Sequence, residues 1–274
     1  MIRLFVSDLD GTLLDDKGVL DSEFFTLLEE LKEKNILFAI ATGRQVPNVK
    51  KLFAPVINDV IIIAENGAYV SYKGEEIFSA PIPKEQMKEL IRYTESIPET
   101  AIFMCCKEVG YLNNNSEKMN EIGDFYNVIS KYVEDISLVD DDVLKFAVCN
   151  FIDAKTNALP ILKKKFSDIL EVEASGEVWI DITKKGINKG VGLQVVQEKF
   201  GISIEETLAV GDNDNDVKMM ERAFYSYAMK ESSSELRKAA KFSIGSNNEN
   251  SALKLMKSLI DGEVPTNVSS VNEN

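Results

Sequence analysis

The sequence predicts an α/β fold: a doubly wound, mainly parallel core sheet into which an α+β domain is inserted. Short apolar runs alternate with helical stretches over residues 1–80, and the same alternation resumes after residue 188. The segment between these two parts has no such rhythm and mixes strand-like and helical stretches. Strands that alternate with helices are typical of a parallel sheet with helices on its faces.

The first part of the chain predicts three strands and two helices. Strands are expected at residues 2–8, 36–41 and 60–64, and helices near 21–34 and 45–54. Asp and Gly are poor strand formers and good turn formers, so the first strand should stop near Ser7 or Asp8. A strand, helix and strand in this order predict a parallel crossover.

The middle of the chain predicts the inserted domain. The run Pro81-Ile82-Pro83 breaks the alternation. After this run we expect helices near 84–96, 117–131 and 155–168. We also expect strands at 100–106 and 144–152 and a pair of strands at 170–182. The predicted domains are a core of residues 1–82 and 184–262 and an insert of residues 83–183. The crossings near 81–84 and 183–188 would act as hinges, and residues 263–274 are predicted to be a disordered tail.

The last part of the chain returns to the α/β rhythm. A helix is expected from Gly190 to Phe200, because the spacing of its valines is helical. A strand at 207–210, a helix from Val217 to Arg222, strand-like residues 225–228 and a final helix near 249–261 follow. These elements complete the predicted core.

Four short polar motifs stand out in this framework. They are DLDGT at residues 8–12, TGR at 42–44, KG at 189–190 and GDNDND at 211–216. The first, second and fourth come directly after predicted strands. Since ligands of open parallel sheets bind at the carboxyl ends of strands, these motifs are expected to form one site.

Each motif alone also fits a structural interpretation. DLDGT fits an acidic turn, TGR a helix entry capped by threonine, and Lys189 a solvated surface lysine. The acidic run fits a capping turn or part of a calcium loop, although it lacks the glycine and the distal glutamate of such a loop. Asp216 could bind metal through water, orient Lys189 or cap the following helix, and the supporting roles are favoured.

Several classes of enzyme are excluded by what the sequence lacks. It has no histidine, which removes Ser-His-Asp triads and histidine-rich metal centres. None of its three cysteines, Cys105, Cys106 and Cys149, is followed within eight residues by an arginine, so a cysteine phosphatase is not expected. The sequence also contains no GxxxxGK loop followed by Ser or Thr, and no complete dinucleotide fingerprint.

Charge and composition limit the partners. The net charge is −14 and the pI about 4.7, which argues against nucleic acids and anionic membranes as partners. Apolar residues make up 45% of the chain, enough for a globular core. Few, unpatterned cysteines, no long apolar stretch and no basic-then-apolar leader predict a cytoplasmic protein. A monomer or weak homodimer is expected.

The remaining chemistry is that of oxygen atoms. Carboxylates suit Mg²⁺, and Asp8 and Asp212 are its natural ligands because they follow two different strands. Asp8 is also the expected nucleophile, which would form an aspartyl-phosphate. Asp10 could protonate the leaving group and later accept a proton from water. Lys189 and the Thr42 hydroxyl are expected to stabilise the charge of the transferring phosphoryl group.

Together the four motifs resemble the haloacid dehalogenase-like hydrolase superfamily, in particular its Cof-type phosphatases. The resemblance spans residues 1–260 and implies a Rossmann-like core with a cap domain, which is the insert. It implies a Mg²⁺-dependent phosphatase of small phosphorylated metabolites, most of all sugar phosphates, with the Asp10 carbonyl as a further metal ligand. The residues expected to contact the phosphate or the substrate are Leu9, Thr42, Gly43, Arg44, Lys189 and Asn215. Asp216 is expected to support the site.

Two rival functions stay open. A phosphomutase or phosphotransferase would use the same aspartyl-phosphate and pass the group to a second hydroxyl. A non-enzymatic receiver-like switch also combines acids and a lysine, but it is about half as long and lacks an insert. The sequence departs from the family pattern at Ala223-Phe224 and at Glu249-Asn250-Ser251. Both departures lie outside the catalytic positions.

Overall fold

The computed structural model describes residues 1–125, 129–175 and 178–264. The chain divides into two compact units. The core unit comprises Met1–Gly43, Phe53–Phe78 and the chain from Asn188 onward, and the inserted unit comprises Arg44–Leu52 and Ser79–Ile187. This division does not locate hinges, so the predicted limits of the two domains and the predicted hinges stay predictions. Within the described ranges, no helix combines the length and apolar character that a membrane crossing requires.

The strands of the described residues are numbered in chain order. They are β1 Leu4–Ser7, β2 Leu37–Ala41, β3 Val60–Ala64, β4 Tyr69–Tyr72, β5 Glu75–Ser79, β6 Thr100–Cys105, β7 Gly110–Leu112, β8 Ser130–Tyr132, β9 Lys145–Asn150, β10 Leu170–Ser175, β11 Trp179–Lys184, β12 Thr207–Gly211, β13 Tyr225–Ala228 and β14 Phe242–Ser243.

The α-helices follow the same order. They are α1 Glu23–Glu33, α2 Val46–Leu52, α3 Lys84–Thr94, α4 Glu117–Phe125, α5 Leu159–Phe166, α6 Lys189–Phe200, α7 Val217–Met220, α8 Ser234–Ala239 and α9 Ser251–Ile260. Short single turns connect several of them, and one of these turns, Leu9–Leu13, forms part of the candidate site.

The sheet of the core unit is mainly parallel. Its strand order is β14-β13-β12-β1-β2-β3-β4-β5. β1 pairs in parallel with both β12 and β2, and β3 pairs antiparallel with β4. The strands that follow in the chain lie on both sides of β1, so the crevice at the carboxyl end of β1 is the switch point where ligands bind in such sheets.

Both faces of this sheet are covered, as a doubly wound fold requires. On one face, aromatic rings of β1, β2 and α1 pack together; Phe24 of α1 meets Phe38 edge to face at 5.1 Å between ring centroids. On the other face, Leu193 and Val196 of α6 pack with Val6 and Ile63 in a buried cluster. Burial of these strands on both faces explains their continuous apolar sequences.

The inserted unit has its own sheet and its own core. Strand order is β10-β11-β9-β6-β7-β8, with antiparallel pairs except between β7 and β8. Leu90 of α3 and Phe166 of α5 pack on one face against Phe146 and Ile180. The other face carries a smaller cluster around Trp179. This is the predicted α+β composition.

The predicted elements differ from the structure in a few places. The hairpin of β4 and β5, the short strands β7, β8 and β14 and the helix α8 were not predicted from the sequence. The hairpin is only partly buried in β5, and its residues show no clear alternation, so no periodic signal marks it. The helical stretch predicted at 117–131 is α4 as far as Phe125, but at residues 130 and 131 the prediction is wrong, because they pair with β7 in strand β8. This stretch, the paired strands at 170–182 and the tail also fall partly on residues 126–128, 176–177 and 265–274, which lie outside the described residues.

Candidate active site

The candidate site lies at the carboxyl end of the core sheet. The loops after β1, β2 and β12 meet there with the beginning of α6. β1 ends at Ser7 because the polar, turn-forming sequence from Asp8 follows it. Asp8 is still held in line with the sheet, since its backbone N–H donates to the Val210 carbonyl at 2.9 Å. Its side chain therefore leaves the strand end at a defined position.

The chain after Asp8 folds into one wide turn over Leu9–Leu13. The turn is closed by the Leu14 N–H, which donates to the Leu9 carbonyl at 2.9 Å. Gly11 has a φ of 73°, and a Cβ atom there would lie 2.5 Å from Asp212 Oδ2. Only glycine fits both the left-handed backbone and this close approach. The DLDGT motif is thus shaped to bring its backbone against the acidic loop.

Lys189 is the first residue of α6, and Asn188 is its cap. The Asn188 side chain accepts from the Val191 N–H at 3.1 Å. The Lys189 side chain is buried, and its ammonium donates to Asp8 Oδ1 at 2.6 Å and to Asp216 Oδ1 at 2.7 Å. A buried cation between two carboxylates is the central contact of the site, because burying either charge without its partner would be costly.

The acidic loop after β12 presents Asp212 and fixes Asp216. Asp216 Oδ2 accepts from the backbone N–H groups of Asp212 at 3.1 Å and Asn213 at 3.2 Å. Ser233 donates its N–H to the Asp212 carbonyl at 2.8 Å. Both oxygens of Asp216 are therefore engaged within the protein. The Asp212 carboxylate lies beside Gly11 and Asp8, and its Oδ1 accepts from the Thr12 hydroxyl at 3.5 Å.

The carboxyl groups of this cluster have raised pKa values. Burial raises the pKa of Asp8 well above its ordinary value; the Lys189 ammonium opposes this, and Asp216, Asp212 and Asp10 add to it. Burial, and then Asp216, raise the pKa of Asp212 to about 6. Burial lowers the pKa of Lys189, but Asp216 and Asp8 outweigh it and hold that pKa above its usual value. The cluster has an excess of negative charge that one lysine does not balance.

Thr42 and Gly43 end the neighbouring strand β2. The Thr42 N–H donates to the Ile63 carbonyl at 2.8 Å, and the Thr42 carbonyl accepts from the Asn66 N–H at 3.0 Å. The Asn66 side-chain carbonyl accepts from the Asn215 amide at 3.1 Å. Thr42, Gly43 and Asn215 thus lie together through the turn at Asn66.

The structure brings most of the predicted residues together. Asp8, Lys189, Asp212 and Asp216 form one buried or half-buried cluster, and Asp10 lies at the exposed rim of the same loop. Leu9 buries its side chain in the core, so only its backbone can face a ligand.

Arg44 belongs to the inserted unit, where it is half-buried, and not to the core unit that carries the other residues. Its expected contact with phosphate stays a prediction. Asn66 and Gly67 are not among the residues predicted for the site. Three turn-forming residues directly after the β3 run were the available signal.

The donor set fits a hard divalent cation. One carboxylate oxygen from each of Asp8, Asp212 and Asp216 lies within 4.8 Å of the others. Oxygen ligands and surplus negative charge are what Mg²⁺ requires. Because both oxygens of Asp216 already accept hydrogen bonds, Asp8 and Asp212 are the better first ligands.

Comparison with known proteins agrees with this geometry. A sequence model of the family described as haloacid dehalogenase-like hydrolase matches residues 5–256. The chain is 28% identical over 266 residues to 5-amino-6-(5-phospho-D-ribitylamino)uracil phosphatase YbjI of Escherichia coli (strain K12), covering 96% of this chain and 98% of that protein. It is 25% identical over 264 residues to the phosphatase of the same description, YitU, of Bacillus subtilis (strain 168), covering 93% and 96%.

A solved structure supports the fold as well. The structure described as the subclass IIB sugar phosphatase BT4131 of the same superfamily aligns with a TM-score of 0.79 and 25% identity. The alignment covers 94% of this chain and 98% of that one. The likeness therefore includes the core sheet and the inserted domain.

Proposed function

Because the chain belongs to the haloacid dehalogenase-like hydrolase family and is a phosphatase, we propose that it hydrolyses small phosphomonoesters through a covalent phosphate on Asp8. One observation carries this proposal. The Lys189 ammonium contacts Asp8 and Asp216 in a buried cluster at the switch point of the sheet. This arrangement holds a carboxylate nucleophile beside a fixed positive charge, which phosphoryl transfer needs.

Asp8 is proposed as the nucleophile. A carboxylate oxygen of Asp8 attacks phosphorus, and the bond between phosphorus and the ester oxygen breaks. The Lys189 ammonium favours the ionised form of Asp8 against the effect of burial. Asp8 must be ionised to attack, so this contact supports the first step directly.

Asp10 is proposed as the acid and base of the two half-reactions. It gives its proton to the leaving alkoxide in the first step. In the second step it takes a proton from the water that attacks phosphorus, which releases inorganic phosphate and restores Asp8. Its place at the exposed rim, two residues after Asp8 in the same turn, suits a residue that meets both alcohol and water.

The proposed cofactor is Mg²⁺, held by Asp8, Asp212 and the backbone carbonyl of Asp10. When bound, the ion supplies charge neutralisation between the carboxylate and the phosphate dianion. The support is the all-oxygen donor set and the unbalanced negative charge of the cluster. Asp216 supports the site by positioning Lys189 and the loop of Asp212.

The phosphoryl oxygens need donors from the protein. Lys189, the Thr42 hydroxyl, the Asn215 amide and the backbone N–H groups of Leu9 and Gly43 are proposed for them. The proposal is supported by where these groups lie in the fold. They belong to the loops that follow β1 and β2, to the start of α6 and to the acidic loop after β12. Arg44, which follows Gly43 in the sequence, is proposed as a further substrate contact.

The proposed substrates are phosphate esters of sugars or of sugar-derived polyols. Two relatives carry names with a phosphorylated ribityl chain, and one solved structure is described as a sugar phosphatase. These compounds share a phosphate on a hydroxylated carbon chain. We include the phosphoribitylamino-uracil compound among the candidates for this chain.

Phosphate release from a panel of such esters tests the proposal. With Mg²⁺ present, we expect release from at least one sugar or polyol phosphate, and a chelator should abolish it. Asp8→Asn should reduce turnover by about 1,000-fold or more with the fold retained. Asp214→Asn is the matched control, because Asp214 is exposed in the same acidic loop and its carboxylate accepts from the Ser233 hydroxyl, outside the buried cluster. Normal activity of Asp8→Asn would contradict the mechanism.

Chemical trapping tests the covalent step. Substrate labelled in its phosphate should leave label on acid-quenched protein, and hydroxylamine should remove that label because it cleaves acyl phosphates. Asp8→Asn should bind no label. Product analysis also tests the rival transferase, which would pass phosphate to a second hydroxyl and release little of it. The cytoplasmic location and the monomer or weak homodimer stay predictions.

A further inference from the structure

The turn after β3 has an unusual backbone. Glu65, Asn66 and Gly67 follow one another with φ angles of 50°, 54° and 93°. Left-handed backbone is unfavourable for residues other than glycine, and asparagine and aspartate adopt it more readily than the rest. Strain of this kind persists only where surrounding contacts fix it, and it often marks a functional element.

The contacts around this turn show what fixes it. A Cβ atom at Gly67 would lie 2.2 Å from the Asn188 carbonyl, so the turn lies directly against the cap of α6. The Asn66 N–H donates to the Thr42 carbonyl at 3.0 Å. The turn therefore contacts the loop after β2 and the beginning of the helix that carries Lys189.

The Asn66 side chain adds a third connection. Its carbonyl accepts from the Asn215 amide at 3.1 Å. The same oxygen lies 3.0 Å from the place where a Cβ atom of Gly43 would stand. The amide of Asn66 thus lies between the loop after β2 and the acidic loop after β12, which are distant in sequence.

We propose that Asn66 is a positioning residue whose side-chain carbonyl fixes the orientation of the Asn215 amide, with its NH₂ group toward the Thr42–Gly43 loop. An asparagine amide has a donor end and an acceptor end, and rotation by half a turn exchanges them. An acceptor at Asn66 selects the orientation that brings the donor end of Asn215 to the side of Gly43.

This orientation matters for an anionic substrate. The NH₂ group has two hydrogens; one is used by Asn66, and the second can donate to a phosphoryl oxygen. The reversed amide would turn its carbonyl toward the phosphate and repel it. The inference rests on the proposed function, in which Asn215 contacts the phosphoryl group.

Steady-state kinetics with p-nitrophenyl phosphate and Mg²⁺, together with inhibition by inorganic phosphate, test this role. The variants are Asn66→Gly, Asn215→Ala and their combination. Glycine keeps the left-handed backbone accessible and removes only the amide. Asn35→Gly is the matched control, because Asn35 is also left-handed, with a φ of 58°, and is exposed in the turn after α1.

Asn66→Gly should lower kcat/KM and weaken phosphate inhibition by about five- to tenfold, the effect of one oriented hydrogen bond. The double variant should be no worse than Asn215→Ala alone, because both changes remove the same contact. Asn35→Gly should match wild type. Thermal unfolding of each variant separates lost orientation from lost fold.

Asn66→Asp provides a second test if glycine loosens the turn. Aspartate keeps the acceptor and tolerates the left-handed backbone, so Asn215→Ala should retain most of its effect in that background. Additive effects of Asn66→Gly and Asn215→Ala, or wild-type kinetics of Asn66→Gly beside an impaired Asn215→Ala, would overturn the inference. Full activity of Asp8→Asn would instead overturn the proposed function, and wild-type kinetics of Asn215→Ala would remove the role of both asparagines while leaving the phosphatase chemistry intact.

Discussion

At the scale of single residues, the site shows how one residue type takes different roles from its surroundings. Asp8 is buried beside a lysine, Asp212 is half-buried beside other acids, and Asp216 has both oxygens engaged in hydrogen bonds. A carboxylate whose two oxygens already accept hydrogen bonds from the protein is suited to a structural role. Asp8 and Asp212 keep oxygens directed at each other and are suited to a cation and a phosphate.

Asp10→Asn should lower kcat far more than it raises KM. The amide cannot give or take the proton, so about a 100- to 10,000-fold loss of kcat is expected. The change leaves charge contacts with bound substrate nearly intact, so KM should move by less than about threefold. For a substrate whose leaving group needs no proton, such as a nitrophenolate, Asp10→Asn should lower kcat less than it does for an alkyl phosphate. An equal loss with both substrates would contradict the acid role.

Asp212 should make the metal-free protein less stable as pH rises. Its folded pKa of about 6 lies above the ordinary value of 3.8, because burial and then Asp216 disfavour the charged form. Between these values the folded state binds more protons than the unfolded state, so the free energy of unfolding falls with rising pH. The shift corresponds to about 3 kcal/mol, fully lost above the folded pKa.

Denaturant unfolding in chelator at about pH 4.5 and about pH 7 measures this change. Between these two pH values, Asp212→Asn should flatten the pH dependence by about 2 kcal/mol, because part of the loss already falls below pH 4.5, whereas Asp214→Asn should keep it. An equal slope in Asp212→Asn and wild type would show that the Asp212 carboxyl does not titrate in this window.

At the scale of elements, loop geometry and not strand chemistry builds the site. The strands β1, β2 and β12 are buried and apolar, and each contributes only the point at which its loop begins. The wide turn over Leu9–Leu13 then brings Gly11 against Asp212. Close approach of a backbone to a carboxylate leaves no room for a side chain.

Gly11→Ala should damage the site more than its stability. The left-handed backbone costs about 1 kcal/mol for alanine, and the added methyl would also displace Asp212, from which it would stand 2.5 Å. Gly74→Ala is the matched control, since Gly74 has a φ of 76° and no atom within 4 Å of an added Cβ. Urea unfolding and phosphate release should show a similar backbone cost in both variants and loss of activity in Gly11→Ala alone. Equal activities would mean that Asp212 tolerates displacement.

One departure from the family pattern has a structural account at this scale. Asn250, in the second departing segment, donates its side-chain amide to Asp21 at 2.7 Å. A carboxylate at position 250 could not donate this hydrogen bond and would repel Asp21. The other departure, Phe224, is partly exposed and lies under the Lys241 ammonium, 3.7 Å from its ring centroid.

At the scale of the whole molecule, the charge of the chain and the charge of the site act in the same direction. A net charge of −14 and a cluster of buried acids both disfavour a phosphate dianion. Binding of the proposed divalent cation to the folded protein would relieve this repulsion. The same binding should appear in the stability of the molecule, since the unfolded chain does not gather these acids.

Mg²⁺ should raise the melting temperature in proportion to the logarithm of its concentration. At about 100 times the dissociation constant, the gain is about 2.7 kcal/mol. For a unit of this size that corresponds to about 5 to 10 °C. Calorimetry of Asp212→Asn should show a much smaller shift, whereas Asp214→Asn should behave as wild type. A shift that survives Asp212→Asn would place the cation elsewhere.

Much of the fold and part of the site could be predicted from particular residues. The apolar runs before Asp8, Thr42 and Gly211 predicted β1, β2 and β12, and the structure confirms them. The turn at Glu65–Gly67 was not predicted as part of the site, because locally it is only a polar turn after a strand. Asn66 of this turn contacts Asn215, which lies 149 positions away in the sequence. A local sequence pattern cannot predict a contact between residues so far apart in the chain.

By itself the sequence determined the α/β class, the order of the elements and the motifs that end the strands, because periodicity and turn chemistry are local properties of the chain. Only the tertiary structure decided which acids share the buried lysine, which of them is already saturated with hydrogen bonds, and that Asn66 connects two loops. Burial and charge interactions depend on distances between segments far apart in the chain. Those distances exist only once parallel strands bring their carboxyl ends to one edge of the sheet.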